Sequence, residues 1–144
     1  MFISTDQIKR ELDVILKGKW STSHFAGFSD HQYYAPPRQE IELYLKYNPL
    51  LLNPNSPVAG TEGFDCDDFS FALKGQIALF NRNRAHQPHS WAVGLIWGHF
   101  TWIENLHAIN WIVTADAGYF LVEPQTGKLS DFSECTGNVT LAVL

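Results

Sequence analysis

Cysteine is scarce in this chain of 144 residues: there are two, Cys66 and Cys135. Two thiols make no disulfide framework, so a reducing compartment is the default. Charge is scarce as well, at 17% of residues, and it leans acidic, with a formal net charge of −5. Without a basic stripe, nucleic acid and anionic membrane surfaces are excluded as partners. No apolar run approaches the roughly 20 residues that a membrane-spanning helix needs. Met1-Phe2-Ile3 leads directly into polar and charged residues, so no signal peptide is visible, and a soluble, cytoplasmic protein is the expectation. Internal repeats, low-complexity tracts and linkers are lacking too, which predicts a single domain over residues 1–144. Apolar residues are plentiful at 45%, with five Trp and ten Phe, so a core or groove must hold several large rings.

The first half reads as helical. Ser4 or Thr5 can cap a helix carrying Ile8, Leu12, Ile15 and Leu16, with Gln7 in the capping-box position and Gly18 as the stop. Lys19 to Ala35 has no periodicity and reads as a structured loop. A second helix is predicted to start at Pro36-Pro37, carry Ile41, Leu43, Tyr44 and Leu45, and end before Asn48-Pro49. Pro49 to Gly63 reads as a long loop, followed by a helix from Cys66 to about Asn81 with Phe69, Leu73, Ile77 and Phe80 on its core face. Asn81 to Pro88 is expected as a surface connection. Strands are predicted at Trp91–Trp97, with Phe100–Glu104 as its extension or a second short strand, and at His107–Thr114, Tyr119–Glu123 and Asn138–Leu144; His107–Thr114 and Tyr119–Glu123 are joined by a hairpin across Ala115-Asp116-Ala117-Gly118. Helices first and an antiparallel sheet second is α+β order.

Three residues stand out chemically. Cys66 opens a helix, where backbone N–H groups and the dipole favour a thiolate. With a hairpin turn of that length, His107 falls roughly opposite Glu123 to Gln125. Nucleophile, base and orienter thus occur in the order Cys66, His107, Glu123, a candidate catalytic triad. The Cys66 N–H could serve an oxyanion, with Gln125, Trp91 or Trp102 as candidates for the second donor. Each residue also has an ordinary structural role open to it: a small buried thiol, a satisfied histidine, a strand end at solvent. Asp65, Asp67 and Asp68 compensate a helix dipole, with a hard cation as the alternative. Cys135 reads as a bystander, His86, His89 and His99 as surface or structural residues, and Asn110 as a structural residue facing away from His107.

The strings Phe64-Asp65-Cys66-Asp67-Asp68-Phe69, Gly94-Leu95, Gly98-His99, His107-Ala108-Ile109-Asn110-Trp111 and Glu123-Pro124-Gln125-Thr126-Gly127 together resemble a family. It is the papain-like cysteine protease domain of ricin-B-type mushroom agglutinins, and more distantly the bacterial transglutaminase-like cysteine peptidases. The resemblance covers roughly Gly60 to Lys128. It implies a papain-like or transglutaminase-like α+β core, with N-terminal helices and a Cys-bearing helix packed on an antiparallel sheet. It further implies a Cys66–His107–Glu123 triad, a homodimer, and dependence on calcium or manganese with no assignable ligands. The chain lacks lectin repeats, so sugar targeting is not implied. The expected function is a thiol protease, a hydrolase cleaving peptide or related amide bonds through a thioester, with a peptide or protein substrate. The alternatives are an amidase or transglutaminase-type acyl transferase, and a catalytically silent module kept for dimerisation or binding.

Overall fold

The computed structural model describes residues 1–48, 50, 64–82 and 89–144. Most of the expected loop from Pro49 to Gly63, most of the connection from Asn81 to Pro88, and His86 therefore lie outside the described residues. The elements run β1 (Phe2–Ser4), α1 (Thr5–Ile15), β2 (Trp20–Gly27), β3 (Gln32–Tyr34), α2 (Arg38–Lys46), α3 (Cys66–Arg82), β4 (Val93–Phe100), β5 (Ile103–Thr114), β6 (Gly118–Glu123), β7 (Lys128–Asp131) and β8 (Cys135–Val143). A single 3-10 turn, Phe132–Glu134, precedes β8. No helix among the described residues is long and apolar enough to cross a membrane.

The sheet is mixed, which corrects the expected antiparallel one. Its order is β2-β8-β4-β5-β6-β7, and β1 and β3 form a separate two-stranded ribbon. β2 runs parallel to β8, with Phe25 beside Leu141 and Gly27 beside Val143. Three strands lie before Ala35, so the helices-then-strands order behind the α+β assignment also fails. The reason is physical. The loop expected from Lys19 to Ala35 contains an edge strand whose exposed residues need no apolar alternation, and its pairing partner lies over a hundred residues away. The remaining ladders are antiparallel, and β5 is the longest strand.

Two cores flank the sheet. Under α1, Ile8, Leu12 and Leu16 pack with Ile96, Ile109, Trp111 and Leu121. On the opposite face, Leu73 and Ile77 of α3 and Ile41 and Leu45 of α2 pack with Trp91, Val93, Ile112 and Val122. The helix starts follow local chemistry. The Ser4 hydroxyl accepts from the Gln7 amide at 3.2 Å, satisfying one free donor of α1. Pro37 precedes α2 with no side-chain cap. The Asp65 amide donates to Asp68 Oδ2 at 3.2 Å, the backward half of a capping box. α3 buries Phe69, Leu73 and Ile77 at helical spacing, whereas Phe80, expected on that face, is 39% exposed.

Candidate functional site

His107 and Glu123 come together. Pairing of Trp111 with Leu121 and of Asn110 with Val122 carries the hairpin register toward them. His107 Nε2 and Glu123 Oε2 lie 2.9 Å apart, with the two side chains only 8% and 13% exposed. The other carboxylate oxygen accepts from the Gln125 amide at 3.1 Å, so the carboxylate is held from two sides. The imidazole meets the edge of the Phe100 ring, 6.4 Å between centroids.

Cys66 is not joined to this pair. Among the described residues no hydrogen bond links its thiol to the imidazole. Strand parity accounts for the separation. Gly98 pairs with His107 and Ile96 with Ile109, and Ile96 and Ile109 belong to the core under α1. His107 therefore points to the α1 face. The neighbouring parity points to α3: Asn110 Nδ2 donates to the Ser70 carbonyl at 3.0 Å and to the Gly94 carbonyl at 3.1 Å. The helix that begins at Cys66 and the imidazole thus occupy opposite faces of β5. Asn110, read from the sequence as structural, is fully buried and pins α3 to the sheet.

The half-buried Cys66 keeps acidic company. Its sulfur and the carboxylate oxygens of Asp65 and Asp67 all lie within 4.8 Å of one another. A hydrogen bond with Asp65, partial burial and the charges of Asp65 and Asp68 hold Asp67 above the usual carboxylate range. As a cation site this set is poor for calcium or manganese. Among the described residues it offers two carboxylates and one soft thiol, where calcium takes six to eight oxygens. Cys135 is fully buried, and burial pushes its thiol up. Of the candidates for a second oxyanion donor, Trp91 is buried against Tyr44 and Phe80, and the backbone N–H of Gln125 is committed to Glu123.

The turn between β4 and β5 carries an indole that the sequence offers only as an oxyanion-donor candidate. Trp102 stands there 36% exposed, stacked on Phe100 at 5.2 Å and 22°. Lys128 Nζ lies 5.6 Å from the centre of its ring. Phe100 is thereby held between the indole and the His107–Glu123 pair. An exposed Trp at a strand turn, flanked by Thr101, Glu104 and Asn105, was the signal available in the sequence.

No curated protein matches the chain. Solved structures that share its fold include a PSL1a-E64 complex, at 22% identity with a TM-score of 0.76, and the Polyporus squamosus lectin bound to the human-type influenza-binding epitope Neu5Aca2-6Galb1-4GlcNAc, at 21% and 0.70. Each match covers 99% of this chain, which spans about half the length of those chains, 50% and 49%. The family model for the ricin-type beta-trefoil lectin C-terminal domain matches residues 7–144. These findings overturn the papain-like assignment of fold and family: the matched fold is a lectin domain, mostly strands in a mixed sheet. They equally overturn the expectation of a thiol protease, hydrolase and catalytic triad, since the match is to a lectin domain and Cys66 is not bonded to His107. Over residues 7–144, the chain belongs to the ricin-type beta-trefoil lectin C-terminal domain family.

Proposed function

We propose that the chain is a catalytically silent binding module of a lectin, and that it contacts glycan at the surface around Trp102. The observation that carries this is the exposed indole stacked on Phe100. A sugar ring presents an apolar C–H face and a polar rim. A flat exposed indole suits the face, and convergent polar groups suit the rim. Lys128 supplies donors beside the ring, and Glu104 and Asn105 follow on exposed strand positions. His107 and Glu123 act here as the support beneath the platform: their 2.9 Å contact fixes the imidazole that abuts Phe100. Cys66 lies on α3, outside the platform. That the Polyporus squamosus lectin binds a sialylated trisaccharide supports a glycan as the ligand class.

The test is a calorimetric or NMR titration of the chain with Neu5Aca2-6Galb1-4GlcNAc. Binding should be weak and should perturb Trp102 and Lys128 resonances. Trp102→Ala should lower affinity about ten-fold or more, the loss of a stacked anchor, with the fold retained at a modestly lower melting temperature because the indole also covers Phe100. A folded chain that leaves the glycan unbound, or one that hydrolyses peptides in a Cys66-dependent way, overturns the reading.

A further inference from the structure

A positive charge stands at the rim of the Trp102 surface. The indole is exposed in the turn between β4 and β5, and the exposed Lys128, at the start of β7, places its Nζ 5.6 Å from the ring centre. The carboxylates around this turn are held elsewhere. Glu123 pairs with Lys128 across the ladder, but one of its oxygens lies 2.9 Å from His107 Nε2 and the other accepts from the Gln125 backbone N–H at 3.1 Å. Glu134 accepts from the hydroxyl of Thr101, the neighbour of Trp102. Among the described residues no carboxylate forms an ion pair with Lys128. Its contact with the indole joins two exposed groups and is weak for that reason.

That charge discriminates among sugars. A neutral pyranose would lay its C–H face on the indole and leave the ammonium to water. A pyranose bearing a carboxylate can stack in the same way and also set its charge against Nζ, because the flexible lysine stem lets the ammonium swing from the ring to an oxygen at its edge. Glu104 is exposed at the start of β5, so the carboxylate of the sugar belongs on the β7 side, with Lys128. One ammonium balances one negative charge. A phosphate ester brings about two, and the second would face Glu123 and Glu134. We infer that the Trp102 surface prefers carboxylate-bearing sugars to neutral ones, with Lys128 as the side chain that reads the charge. This preference rests on glycan binding at Trp102 and narrows the class of glycan.

The experiment is an NMR titration of the chain with Neu5Aca2-6Galb1-4GlcNAc and, separately, with the same trisaccharide whose carboxylate has been converted to the carboxamide. The acid should bind about three-fold or more tightly than the amide, the size expected of an exposed ion pair. The gap should narrow as salt is raised. In Lys128→Gln the two forms should bind alike, and in Lys128→Arg the acid should keep its advantage. Methyl β-glucuronide against methyl β-glucoside repeats the comparison without sialic acid: a gain there extends the preference to uronic acids, and a gain for the sialoside alone assigns it to sialic acids. Equal affinity of acid and amide, or a preference that survives in Lys128→Gln, would overturn the inference and leave glycan binding at Trp102 standing. A folded chain that binds neither form would overturn both.

Discussion

Asn110→Ala measures how firmly α3 is held to the sheet. The side chain is fully buried, and its amide donates two hydrogen bonds, to the carbonyls of Ser70 at 3.0 Å and Gly94 at 3.1 Å. Losing two such bonds costs about 0.5–1.5 kcal/mol each, net of solvation. The emptied amide volume adds about 1 kcal/mol where the surroundings cannot close in. Among the described residues Asn110 Oδ1 has no hydrogen-bond partner, and removing a buried unpaired acceptor returns part of this. The balance is a loss of about 2–3 kcal/mol, or about 4–12 °C in melting temperature for a chain of this size. Urea denaturation should show a lower midpoint at an unchanged slope, because the native fold is retained. Asn110→Asp should be worse, since it sets a carboxylate against two carbonyl oxygens. A loss below about 0.5 kcal/mol for Asn110→Ala would refute the reasoning, because Ser70 and Gly94 would then not depend on this amide.

Two glycines should respond in opposite directions. A Cβ at Gly94 would stand 2.1 Å from the Val143 carbonyl oxygen and 2.5 Å from the Trp111 ring, so Gly94→Ala should cost about 3 kcal/mol or more and lower the soluble yield. Gly75, inside α3, has no described residue within 4 Å of that position, and Gly75→Ala should raise stability by about 0.5–1 kcal/mol in the same melts. Alkaline stability should follow the tyrosines. Tyr44 is pushed up to about 12 by burial, and Tyr119 is raised by burial and by its bond to Glu11. Both keep their protons in the fold after the unfolded chain has released them, so their contribution is complete below pH 10 and lost as pH rises through the folded values. Lys74, lowered by burial, contributes in the opposite sense, and only below its unfolded value of 10.5. Denaturation midpoints should therefore fall between about pH 10.5 and 12, less steeply in Tyr44→Phe.

Local chemistry was legible in the sequence wherever a short stretch decides its own structure. The Ser4 cap, the start of α3 at Cys66, and the turn after Thr114 needed only neighbours within a few residues. The same turn set the hairpin register, and with it the approach of Glu123 to His107. Long-range pairing was not legible. β2 pairs in parallel with β8 across the length of the chain, and an exposed edge strand carries no alternation to betray it. The place of Cys66 relative to His107 was not legible for a related reason. Opposite parity of His107 and Asn110 follows from any strand, but nothing local says which face a helix will take. α3 took the face of Asn110, and Cys66 went with it.

The most direct measurement is the rate at which E64 or iodoacetamide modifies Cys66, followed by mass spectrometry across pH in the wild-type chain and in His107→Ala. An imidazole that activates the thiol would make modification fast near neutral pH and slow it about ten-fold or more when removed. With His107 turned to the α1 face and bonded to Glu123, the two proteins should react at the same rate, with the same pH profile. A His107-dependent rate, together with peptide hydrolysis lost in Cys66→Ala, would contradict the silent binding module.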